Sequence, residues 1–179
     1  MFKQVFLAAA TAALALQPVA ASAQAKDRIE TFQIKDLTTA LDAIGAKWEV
    51  AGDSGTINVT FPSTLRANAA IMACNEETGD ECYGTSILAI FDPEPGQTPE
   101  EIAAAVNEYN YNQNFGRAYI DPEGDISVRM YIISDGGITR ENLRLQIELW
   151  SISLEYFTTY LYPEEDSDGG KGAKGKSGA

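Results

Sequence analysis

Residues 139–161 read TRENLRLQIELWSISLEYFTTYL. Thr139 has the hydroxyl of a helix N-cap, and the segment predicts a helix from Arg140 to Leu161. Two apolar stripes run along it. Leu143, Ile147, Trp150, Leu154, Phe157 and Leu161 form one; Leu145, Leu149, Ile152, Tyr156 and Tyr160 form the other. One stripe suffices to dock a helix on a sheet. A second stripe calls for a second cover, from the rest of the domain or from a second subunit. Tyrosine tolerates partial exposure and is common at interfaces. The stripe with Leu149, Ile152, Tyr156 and Tyr160 is therefore the expected contact surface, for a homodimer or for another exported protein.

Upstream, the pattern is mostly strands. Asp36 is the expected N-cap of a short helix with Leu37, Ala40, Leu41 and Ile44 on one face and Gly45 at its end. Lys47–Ala51 and Thr56–Phe61 alternate around the turn Gly52-Asp53-Ser54-Gly55, a hairpin with Ile57, Val59 and Phe61 on one side. Ala69–Asn75 and Tyr83–Phe91 are two further strand-like runs. Thr98-Pro99-Glu100-Glu101 starts a helix with a capping box, and Ile102, Ala105, Val106 and Tyr109 give its apolar stripe. Gly116–Asp121 and Ile126–Ile133 are strands joined by Pro122-Glu123-Gly124. The order α-β-β-β-β-α-β-β-α with hairpin connections predicts an α+β domain on a mainly antiparallel sheet.

The chain opens as a secretory signal. Lys3 gives a charged start, Val5–Leu16 is apolar, Pro18 breaks the run, and Ala21-Ser22-Ala23 offers small residues for cleavage. A run of twelve residues falls short of the roughly 20 that span a bilayer. The expected organisation is a signal peptide over 1–23, a lead-in over 24–35, the α+β domain over 36–162, and a disordered Gly/Lys/Ser-rich tail over 163–179. The mature protein is expected to be periplasmic or secreted, without membrane insertion.

Cleavage removes one basic residue, Lys3, and leaves 12 basic residues against 26 acidic. Such a charge repels phosphate backbones and argues against a nucleic-acid partner. The sequence has no histidine, which removes the commonest general base and the usual zinc sets. Cys74 and Cys82 flank the polar tip Glu76–Glu81, where a hairpin would bring them together. Export favours a structural disulfide between them; a labile redox switch is the other reading. Neither a metal nor a cofactor is expected. The acidic tip reads as a solvated loop. Asp121–Asp125 fails as a calcium loop, because its glycine is fourth and its twelfth position is Ile132. Gly84–Leu88 lacks the second glycine of a nucleophile elbow.

Arg117 and Tyr119 are the candidate ligand residues. Their spacing of two puts them on one strand face. Arg117 suits a carboxylate or phosphate; an internal ion pair or a solvated edge is the alternative. The expected function is non-enzymatic binding or regulation through protein–protein contacts. The other class is a small hydrolase using carboxylates alone, with Asp92 and Glu94 as its candidates.

Three segments carry a family likeness: Asn114-Phe115-Gly116-Arg117-Ala118-Tyr119-Ile120-Asp121, Gly124-Asp125, and Gly136-Gly137-Ile138-Thr139-Arg140-Glu141-Asn142-Leu143. Together they resemble the YbjN family of bacterial sensory transduction regulators. The paired cysteines ahead of a strand, and Ser86–Tyr109, are similar too. The resemblance covers roughly 37–161. It implies a fold similar to type III secretion chaperones, an α+β sandwich that often dimerises, without implying chaperone activity. It carries over no catalytic residue. Many members have tryptophan in the second helix, where this chain has Val106 or Tyr109.

Overall fold

The computed structural model describes residues 27–52 and 55–163. The expected signal peptide, the tail after Pro163, and Asp53 and Ser54 of the first turn lie outside them.

The elements are β1 (Arg28–Ile29), α1 (Ile34–Ala43), β2 (Lys47–Ala51), β3 (Thr56–Thr60), β4 (Arg66–Met72), β5 (Gly84–Phe91), α2 (Pro99–Asn112), β6 (Arg117–Ile120), β7 (Ile126–Ile133), β8 (Ile138–Thr139) and α3 (Arg140–Leu161). Six strands form one antiparallel sheet in the order β2-β3-β4-β5-β7-β6. The α+β, mainly antiparallel class is the one the sequence predicts.

One face of the sheet carries the core. Ile57, Val59, Ala67, Ala69, Ile87, Ala89, Val128, Met130 and Ile132 alternate inward along their strands and are buried. The helices cover this face, with α3 in contact with both α1 and α2. The first stripe of α3, Leu143 through Leu161, is buried throughout, and Phe61 packs edge-on to Trp150. This burial is what holds a 22-residue helix in place.

The N-terminal segment departs from expectation. Asp36 is not the N-cap of α1. The helix begins at Ile34 with Gln33 as cap, and Asp36 is its third residue, accepting a hydrogen bond from Gln33 N at 2.9 Å. The other carboxylate oxygen of Asp36 pairs with Arg140 at the start of α3. Completing the capping box while meeting Arg140 explains why the helix starts three residues early. The expected lead-in, in turn, contains β1, which pairs with β8. Arg28 holds the carbonyls of Gly136 and Gly137, and Arg140 N donates to Asp27 O at 3.0 Å. These pairings are invisible to periodicity because each strand is two residues long.

β4 also begins earlier than expected, at Arg66, and ends at Met72. Cys74 and Cys82 are bonded, with S–S 2.02 Å. They lie beyond the last ladder pair, Met72 with Gly84, instead of within the strands. Phe32 N donates to Cys82 O at 2.7 Å, so the bridged loop is tied to the buried Phe32.

Candidate functional site

Residues 114–119 show why a glycine must precede Arg117. Gly116 has φ +108°, and a Cβ there would lie 2.8 Å from Trp150 Nε1 and 3.0 Å from the Tyr109 hydroxyl. The Tyr109 hydroxyl donates to Phe115 O at 3.0 Å, so at 2.8 Å from Ser153 Oγ it accepts that group's proton. Burial pushes the Tyr109 phenol up, and the Ser153 hydrogen bond offsets part of that. The loop is thereby fixed on the helix layer, and β6 leaves it as an edge strand. Asn110 guards that edge. Its amide donates to Ala118 O and accepts from Ala118 N, both at 2.9 Å, standing in for a missing strand.

On the opposite face of the sheet, away from the helices, Arg117 and Tyr119 point outward as their spacing predicts. Arg117 faces Arg129 of β7 directly across the ladder. The Tyr119 ring lies near both guanidiniums, 5.3 Å from Arg117 and 5.8 Å from Arg129. Arg129 also stands 5.7 Å from the Tyr131 ring and donates to its hydroxyl at 2.8 Å. Of the two alternatives to a ligand role for Arg117, an internal ion pair does not form among the described residues, and Arg117 is exposed on the edge strand. The ion pairs among the described residues join Arg140 with Asp36, and Arg144 with Glu141 and Glu148. Sequence reading missed Arg129 and Tyr131. Their signal was a charged residue in the middle of the apolar strand Ile126–Ile133, in step with Tyr131.

The second stripe of α3 divides. Leu145, Leu149, Ile152 and Tyr156 are 41%, 38%, 44% and 51% exposed. Tyr160 does not belong with them. It is half-buried, packs against the core, and meets Tyr109 edge-on at 6.4 Å. Tyr160 follows Tyr156 by a second step of four residues with no step of three between them, and that rotates it toward the inner stripe. Arg144 is clamped between Glu141 and Glu148 at 2.7–2.8 Å, and that pairing holds the Glu141 carboxyl below its ordinary range.

The acidic tip is exposed and organised by its own turn: Asn75 Oδ1 accepts from Glu77 N at 2.9 Å. Of the two candidate hydrolase residues, Asp92 accepts the Tyr162 hydroxyl through its main-chain oxygen, and Glu94 lies on a wide groove with Glu101 and Glu108. Among the described residues no three acidic or thiol groups converge so as to hold a metal ion. No described helix is long and apolar enough to cross a membrane.

The YbjN family, described as "Putative bacterial sensory transduction regulator", matches residues 33–162, which takes in all three helices and the whole six-stranded sheet. The chain belongs to the YbjN family. A crystal structure of YbjN from E. coli, described as a putative transcription regulator, has 13% identity and a TM-score of 0.55, covering 72% of this chain and 91% of that one. An uncharacterized protein from Methanothermobacter thermautotrophicus has 14% identity and a TM-score of 0.51, covering 71% and 94%. At such identities the likeness shows the fold. The HopA1–SchA chaperone–effector complex contains a chain at 14% identity, 72% and 97% coverage and a TM-score of 0.44, too low to bear weight. No curated protein matches the chain significantly. In this YbjN domain the likeness at Asn114–Tyr119 has a physical content: Gly116 sets the loop on Trp150 and Tyr109, and the loop delivers Arg117 to the outer face.

Proposed function

We propose that this YbjN domain is an exported, non-enzymatic regulatory module that works through protein–protein contact, with a second copy of the chain seated on the outer seam of α3. The observation that carries the reading is the seam itself. Leu145, Leu149, Ile152 and Tyr156 repeat at four, three and four residues, the spacing by which one helix grips another, and all four are exposed. A contiguous apolar line in the middle of a helix layer is uncommon on a monomer. The seam is also self-complementary. In an antiparallel pair centred between Leu149 and Ile152, Leu145 meets Tyr156 of the other copy, and Leu149 meets Ile152. Export is supported by the N-terminal sequence and by the Cys74–Cys82 bond, which suits an oxidising compartment. The non-enzymatic reading rests on the lack of histidine and of any nucleophile motif; no observation favours the carboxylate hydrolase.

Cross-linking tests the contact. Both native cysteines are bonded to each other, so Ile152→Cys adds a single free thiol to the mature protein. A short bis-maleimide should give a covalent dimer. A control thiol at Asn68, on the opposite sheet face, should not. Equal yields from both positions would contradict the reading.

A further inference from the structure

Arg117 and Arg129 are register partners on adjacent strands, the geometry in which like charges repel most. The chain has 26 carboxylates for 13 basic side chains, yet none of the ion pairs among the described residues reaches either arginine. Arg140 and Arg144 pair with acids, whereas among the described residues these two meet π faces and one hydroxyl. Arg129 is half-buried, and its Nε has no acceptor. The Arg117 guanidinium donates to no described residue.

The neighbouring strand offers no relief. Along the row that crosses the sheet through Arg117 and Arg129, the next partners are Leu88, Asn68 and Asn58, before Glu49 on the far edge strand. Beside the pair a groove of about 340 Å³ opens toward Asn114, Phe115, Tyr131 and Gln146. Phe115 and Tyr131 are both more than two-fifths exposed there.

We infer that Arg117 and Arg129 form an oxyanion-binding site, for a small organic ligand whose phosphate or carboxylate group bridges the two guanidiniums. Its apolar body lies along Phe115 and Tyr131. Tyr119 is the positioning residue, because its ring holds both cations in place before the anion arrives. The two arginines stand on the sheet face opposite the helices, and the groove beside them reaches round the sheet edge to Gln146 of α3, which is not one of the four seam residues.

The test is titration of the mature protein with inorganic phosphate and, separately, with acetate, at ionic strength held constant with sodium chloride. The readout is the pair of arginine Nε–Hε resonances. Saturable shifts of both are expected. Saturation by phosphate only assigns a phosphate group, saturation by acetate only a carboxylate, and both keep the site. Arg117→Gln should weaken binding about tenfold or more, since a charge-assisted contact is lost, and Arg66→Gln, elsewhere on the same face, should leave it unchanged. Arg117 is exposed, so its variant should fold, and an unchanged melting curve in chloride checks this. Shifts that rise without saturating, or that persist in Arg117→Gln, would overturn the site.

Discussion

Gly116 and Trp150 occupy the same space in turn: where Gly116 would carry a Cβ, the Trp150 indole nitrogen lies 2.8 Å away. The contact joins the loop ahead of β6 to the fully buried side of α3. It also ties the two surfaces of interest to one element, since α3 holds the loop on its inner side and presents the apolar seam on its outer side.

Gly116→Ala should therefore be costly. The substitution places a methyl group against Trp150 and forces φ +108° on a residue that disfavours it. A loss of about 2–4 kcal/mol is expected from overpacking and backbone strain together. Urea denaturation of the variant measures it; a change under 1 kcal/mol would mean that the loop moves freely off the helix.

The two stripes of α3 should separate by stability. Trp150→Ala removes a fully buried indole and should cost about 3–5 kcal/mol. Tyr156→Ala should stay within about 0.5 kcal/mol, because its side chain is half exposed. Tyr160→Ala should fall between them, since its ring meets Tyr109. Thermal melts at low protein concentration give the ranking, and a Tyr156→Ala loss comparable to that of Trp150→Ala would place both stripes in the core.

Much of this was readable in advance because burial imposes periodicity. The inner stripe of α3, the alternation of Ile57 and Val59, and the capping of α2 by Thr98 and Glu101 all follow from local pattern. What escaped the sequence depends on partners distant along the chain. Asp36 looks like a cap until Arg140, over a hundred residues on, is seen to claim it. The same holds for Arg129, whose neighbours Arg117 and Tyr119 come from another strand. Tyr160 shared the outer stripe in sequence, but two successive steps of four residues, 152 to 156 to 160, turn it toward the inner stripe and Tyr109.

The bond between Cys74 and Cys82 should stabilise the domain by closing a short loop. Cys74→Ala is expected to cost about 2–3 kcal/mol in the chain-entropy picture. Because Phe32 N donates to Cys82 O, amide exchange at Phe32 should quicken in the same variant. An unchanged Phe32 exchange rate would mean that the loop keeps its position without the bridge.

Asn110 should matter through its amide alone. Asn110→Asp can still accept from Ala118 N but cannot donate to Ala118 O, and should cost about 1–2 kcal/mol. Asn110→Ala bares the edge of β6 altogether and should raise the tendency to aggregate. Chemical denaturation and light scattering read the two effects; a neutral Asn110→Asp would show that the edge needs no guard.

Sedimentation velocity on the mature protein, with and without the double change Leu149→Glu and Ile152→Glu, tests the α3 contact most directly. Both side chains are more than a third exposed, so the variant should fold with a melting curve close to that of the parent. The parent should sediment as a dimer that dissociates on dilution, and the variant as a monomer at every concentration. A parent that is monomeric throughout, or a variant that dimerises as strongly as the parent, would contradict the account.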